Sequence, residues 1–186
     1  MALGQTRAPP GPAPGGAPGR LHDFVHAAVL SPGPYALGLA GGLVDQVTDF
    51  PEEWEGGEGF GQRALARVGG GFVSDAVGHS TGALLGHRVL YEPCSRDGVW
   101  RRTRHALSRG LMTRTDRGGL APNVSLFVAK FTTAGVANAW YPSSYTGRDA
   151  VRDGFVGIGV SAALNVAREF GPELMRMIGL SSPPGP

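Results

Sequence analysis

Asp75 and His79 stand four residues apart, and His87 follows eight residues after His79. Residues four apart stack on one face of an α-helix, so the Asp75 carboxylate could orient the His79 imidazole. That pairing serves metal ligation or acid–base chemistry. His87 would lie about 12 Å further along the axis, too far to share one metal ion with His79 on an unbroken helix. A polar face between helices accounts for the same three residues without any reaction, and the spacing favours it. A second acidic group, Glu52, Glu53, Glu55 and Glu58, falls around the stretch DFPEEWEGG. Paired carboxylates can exchange protons or hold calcium, but these lack the spacing of an EF-hand. Acids just ahead of a helix are favourable there on electrostatic grounds alone.

Arg101, Arg102, Arg104 and Arg109 lead a basic segment that continues to Arg114 and Arg117. With Trp100 and Trp140 at an interface, it suits phosphates or an anionic lipid surface. Pairing with the acids at 52–58, Asp97 and Asp116 inside the fold is the competing reading. Nucleic acid is not expected, because no stacking aromatics interleave the arginines and the net charge is only +2. Covalent chemistry lacks its usual contexts. Gly78-His79-Ser80-Thr81-Gly82 has the wrong spacing for a nucleophile elbow, and no strand precedes it. Cys94 has Arg96 nearby to lower its pKa, but it follows Pro93 in a turn and reads as a bystander. Gly69–Gly71 lacks the Lys-Ser/Thr ending of a phosphate loop. The sequence therefore assigns no catalytic residue, no metal ligand and no cofactor.

The element that must carry Asp75 and His79 is a proline-free stretch from Gly59 to Leu90. Every fourth residue along it is small: Ala66, Gly70, Ser74, Gly78, Gly82 and Gly86. On one long helix this row is a groove nearly free of side chains, which lets another helix approach closely. Arg63, Arg67, Asp75, His79 and His87 form a polar stripe beside it. Three consecutive glycines at 69–71 each cost about 1 kcal/mol relative to alanine, so a kink there is the alternative to a continuous helix.

Other segments repeat the spacing. A short helix is expected over Leu21 to Leu30, then one from about Pro34 to Thr48, with small pairs Ala36/Ala40 and Gly38/Gly42. Val99 to Met112 has helical spacing. A helix from Pro122 to Trp140 carries Ser125, Ala129, Thr133 and Ala137. A last helix, Thr146 to Ile178, carries Gly159, Ala163, Ala167 and Gly171, with a kink or restart expected at Pro172. No alternating β pattern of useful length occurs. The expected fold is all-α, a compact bundle of about four to five helices with glycine/alanine-rich close-packing faces. Residues 1–20 read as a disordered Pro/Gly-rich leader, 21–178 as a single helical domain, and 179–186 as a disordered tail.

Composition sharpens this. Glycine supplies 31 of 186 residues without a period of three, which excludes collagen. Lysine occurs once, at Lys130, and arginine supplies the remaining positive charge. A single cysteine excludes an internal disulfide. No secretory signal is legible, and no run of 18 uncharged apolar residues marks a membrane span.

Four segments, in order, resemble a family of bacterial helical, envelope-associated conserved hypothetical proteins. They are GLVDQVTDFPEEWEGGEGFGQRALARVG, YEPCSRDGVWRRTRHALSRGLMTRTDRGG, NVSLFVAKFTTAGVANAWYP and NVAREFGPELMRM. The resemblance covers about residues 36–178 and implies a helical, envelope-associated protein with no transferable activity. Two features depart from the family: the Pro/Gly-rich leader where members carry an export signal, and YEPCSRD where they have an acidic-Pro-Arg-Tyr turn.

The sequence thus points to a non-enzymatic structural or accessory subunit, membrane- or envelope-associated, that binds a protein partner or itself through its small-residue faces. One alternative is an enzyme or metal-binding protein using Asp75 and His79. The other is a binder of anionic lipid surfaces through Arg101, Arg102, Arg104 and Arg109.

Overall fold

Helix starts follow local capping chemistry. Ser31 accepts a hydrogen bond from the Gly33 N–H, and Pro32, whose missing N–H is harmless in a first turn, opens α1, Pro32–Val47. Asn123 accepts from the Leu126 N–H to open α4, Val124–Val136, which a 3-10 turn extends over Ala137–Ala139. Thr146 and Asp149 form a capping box at the start of α5, Gly147–Met177. Between them lie α2, Gly56–Leu85, and α3, Val99–Leu111. A π-helical turn, Val25–Leu30, precedes α1. The computed structural model describes residues 21–22, 24–95 and 97–179, so the leader 1–20, Asp23, Arg96 and the tail from 180 lie outside the described residues.

The fold is all-α with one short hairpin. Strand β1, Met112–Arg114, pairs antiparallel with β2, Leu120–Pro122, around the TDRGG turn. His87 adds an isolated antiparallel bridge to Thr115. This corrects the expected polar stripe: α2 stops at Leu85, Gly86 takes a left-handed conformation (φ 64°), and His87 leaves the helix. Glycine is the residue that closes a helix in this way at no steric cost. The glycines at 69–71 do not break α2. α5 likewise runs through Pro172 to Met177. Glu169 and Glu173, one turn apart across that proline, are both held by Arg102, which offsets the one lost backbone bond.

The helices lie side by side in the order α1, α2, α4, α5, α3. Small residues set their spacing. A Cβ on Gly42 would fall 2.7 Å from the Ala64 Cα, and one on Gly154 would fall 2.6 Å from the Phe131 ring. Gly110 of α3 meets Ala162 of α5 in the same way. The expected rows of α2 and α4 face each other: Gly70 meets Thr133, Gly78 meets Ala129, and Lys130 donates to Ser74 Oγ at 2.9 Å. The row expected on α5 does not pack. Gly159, Ala163 and Ala167 are exposed, and that helix instead buries Ala150, Gly154, Ile158, Asn165 and Glu169. The physical reason is that α5 has small residues on more than one face, and the contact went to the face that also carries the polar partners of α3.

What fills the interior is unusual. Among the described residues the buried apolar set is seven alanines with Tyr145 and Ile158, whereas Arg63, Asp45, Ser125, Asn165 and Glu169 are buried beside them. Leu43, Val44 and Val47 of α1 and Val151 and Phe155 of α5 are exposed.

Candidate functional site

Two buried charged hubs hold the frame. The Arg63 side chain is fully buried and uses its donors on the Phe50 and Pro51 carbonyls, Gln46 Oε1 and Asp49 Oδ1, all within 2.6–2.9 Å. Beside it, Arg67 forms a two-pronged pair with Asp45. These contacts tie the α1–α2 corner to the start of α2. At the other end, Glu169 accepts from Tyr91 Oη at 2.6 Å, the Cys94 N–H at 2.9 Å and Arg102 Nε at 2.8 Å. Burial, then the hydrogen bond to Glu169, push the Tyr91 hydroxyl above its ordinary pKa. These are positioning contacts with fully used polar groups.

Between the hubs lies a cavity of about 940 Å³ on the face formed by α2, α4 and α5. The small row makes it: Ala66, Gly70, Ser74 and Gly78 line its α2 wall, where larger side chains would fill the space. Six basic side chains line it, Arg67, Arg88, Arg109, Arg114, Lys130 and Arg168, against three acids, Asp75, Glu92 and Asp153. The wall is thus far more basic than the chain as a whole, whose net charge is +2.

Glu92 is the focus of its basic end. Arg88 Nη1 lies 2.8 Å from Glu92 Oε1, Arg114 Nε 3.1 Å from Oε2, and Arg109 Nη2 3.6 Å from Oε2. The hydrogen bond from Arg88, and then the charges of Arg88, Arg109 and Arg114, hold the Glu92 carboxyl below its ordinary pKa. Burial, with Arg114 close by, lowers the Arg109 guanidinium. Four buried side-chain polar atoms among the described residues have no hydrogen-bond partner: Arg88 Nε, Arg109 Nη1, Thr133 Oγ1 and Trp140 Nε1. All four belong to residues that line this cavity.

The residues singled out in the sequence are distributed unevenly around it. Asp75 and His79 both line the cavity, and the His79 ring stands edge-on to Phe24 at 5.5 Å. Among the described residues no three His, Cys, Asp or Glu side chains gather as a metal-ligand set, so the pair has no third ligand there. His87 lies beyond the end of α2 and faces Ser125 at 3.3 Å. Gly82 packs under Val89, and Gly86 is the helix cap. The four arginines of α3 divide: Arg101 and Arg104 point outward, Arg102 pairs with Glu169 and Glu173, and Arg109 turns into the cavity. Their inward partners are Glu92, Glu169 and Glu173, not the acidic loop at 52–58. Arg88 and Glu92 went unnoticed in the sequence. Their only local signal was an i, i+4 opposite-charge spacing, and the chain between them is not helical.

No protein-family model matches the chain, and neither does any curated protein sequence or solved structure. The geometry alone carries the functional conclusion.

Proposed function

We propose that the protein is a non-enzymatic, membrane-associated structural or accessory subunit. It packs through small-residue helix faces and presents its apolar side chains to lipid or to a protein partner, a second copy included. The observation that carries this reading is the inverted side-chain distribution. Water-exposed folds bury their leucines and valines; here the buried set is mostly alanine and charge, and many leucines and valines are exposed. Close approach through glycine and alanine with polar residues turned inward is how helices associate where no hydrophobic drive exists between them.

Helix α5 adds weaker support. It is long and apolar enough to cross a membrane, and only 22% of its most apolar window is buried. Its 31 residues correspond to about 46 Å, against a hydrocarbon core of about 30 Å.

Fractionation of the native host tests the proposal. The protein should stay with membranes through high-salt and alkaline washes, dissolve only with detergent, and emerge with a partner or as an oligomer. A chain that is monomeric and stable in detergent-free buffer would sink it.

A further inference from the structure

We infer that the basic end of the cavity, formed by Arg88, Arg109 and Arg114 around Glu92, is a binding site for a phosphate group. The first ground is stoichiometry: three guanidiniums share one carboxylate. Two positive charges at this end are left without a paired acid, which matches a phosphate dianion and exceeds what one carboxylate ligand would neutralise.

The second ground is burial. The Arg109 side chain is only 9% exposed, yet its Nη1 has no hydrogen-bond partner, and the same holds for Arg88 Nε. A guanidinium carries five donors in a fixed fork, and a buried donor left unmade is destabilising. The two charged hubs show what this fold does with an arginine that has only a structural task. Arg63, fully buried, makes four hydrogen bonds to the protein itself, and the partly buried Arg102 makes three. Arg109 departs from that pattern, and it does so on the cavity wall.

The third ground is construction. Arg88 comes from the segment after α2, Arg109 from α3 and Arg114 from the hairpin. Backbone bonds lock these together, from the Arg88 N–H to the Arg114 carbonyl at 2.8 Å and from the Asn123 N–H to the Leu111 carbonyl at 2.8 Å. The three backbone segments are therefore held together before any ligand arrives, which limits the ordering cost of binding. The site does not rest on the membrane proposal, and its phosphate could be dissolved or carried by a lipid head group.

The test titrates the full-length detergent-solubilised chain with inorganic phosphate at 150 mM chloride, followed by calorimetry and by thermal unfolding. A parallel arm compares nanodiscs containing phosphatidic acid with phosphatidylcholine-only nanodiscs. Saturable binding with a rise in unfolding temperature is expected in at least one arm. A response to phosphate identifies the dissolved source, and a response to phosphatidic acid alone identifies the lipid. Arg109→Gln and Arg88→Gln should each weaken binding at least tenfold, while Arg148→Gln, exposed at the start of α5 and away from the cavity lining, should leave it unchanged. If Arg109→Gln does not fold, the Arg88→Gln and Arg148→Gln pair still decides. Absence of binding in both arms, or equal loss in Arg148→Gln and Arg88→Gln, would overturn the inference.

Discussion

Replacing Gly42 and Gly78 by alanine, one at a time, measures how closely the helices of this fold approach. Both glycines are buried in helix interiors, so both variants gain the same intrinsic helix propensity, about 1 kcal/mol. They differ in what the new methyl group meets. At Gly78 the Cβ lands 3.6 Å from the Ala129 Cβ, an ordinary contact, and the gain should survive. At Gly42 it lands 2.7 Å from the Ala64 Cα and 2.8 Å from the Ala64 nitrogen. Backbone cannot rotate out of the way, so α1 must move off α2 at an overpacking cost of about 1–3 kcal/mol. Because the propensity term is common to both, the difference between the variants isolates that cost. For a chain of this size it corresponds to about 2–12 °C in unfolding temperature, with Gly78→Ala the more stable. Thermal and denaturant unfolding in one mild detergent would read it. Gly78→Leu, which adds three further carbons at the same contact, should reverse the gain. Equal stabilities for Gly42→Ala and Gly78→Ala would refute close backbone approach as the organising contact.

Three further outcomes follow from the hubs and from the basic end of the cavity. Arg63→Met should destabilise by about 3 kcal/mol, because it strands two carbonyls and the Gln46 side chain while the exposed Asp49 turns to water, and proteolysis should then begin in the 49–55 loop. Glu169→Ala should cost about 3–5 kcal/mol in denaturant unfolding, and Glu169→Gln less, since an amide oxygen can still accept from the Cys94 N–H. Acid should weaken the basic end of the cavity. The folded Glu92 carboxyl lies below its ordinary 4.5, so its contribution is complete above that pH and is lost as the pH falls through the folded value. Unfolding temperature against pH, followed by tryptophan fluorescence, should show a smaller acid-side slope in Glu92→Gln than in the native chain.

Much of the fold was legible where one spacing had one interpretation. On α2 the row Gly70, Ser74 and Gly78 is matched by a row of the same step on α4, and these two faces meet. On α5 the same spacing occurs on more than one face, and periodicity could not tell Gly159 and Ala163 from Gly154 and Ile158. The hairpin escaped because strands of three residues have no period to detect. The cavity's basic end escaped for a different reason. Arg109 and Arg114 are separated from Glu92 by 17 and 22 residues in the chain, and nothing local marks which acid a given arginine will meet. Helix order hid most of all, since α3 lies between α2 and α4 in sequence but docks on the outer flank of α5.

That displaced docking has a consequence for synthesis. Arg102 leaves the ribosome 67 residues before Glu169, the acid that receives it. At ordinary translation rates of 5–20 residues per second, α3 waits about 3–13 s with its charged inner face unmatched. The α1–α2 corner can close early, since Arg63 follows Asp49 by only 14 residues. The Arg63 corner can therefore close well before α3 meets the acid that holds it. A nascent chain arrested before residue 169 should hold the Arg63 corner while α3 remains open to protease.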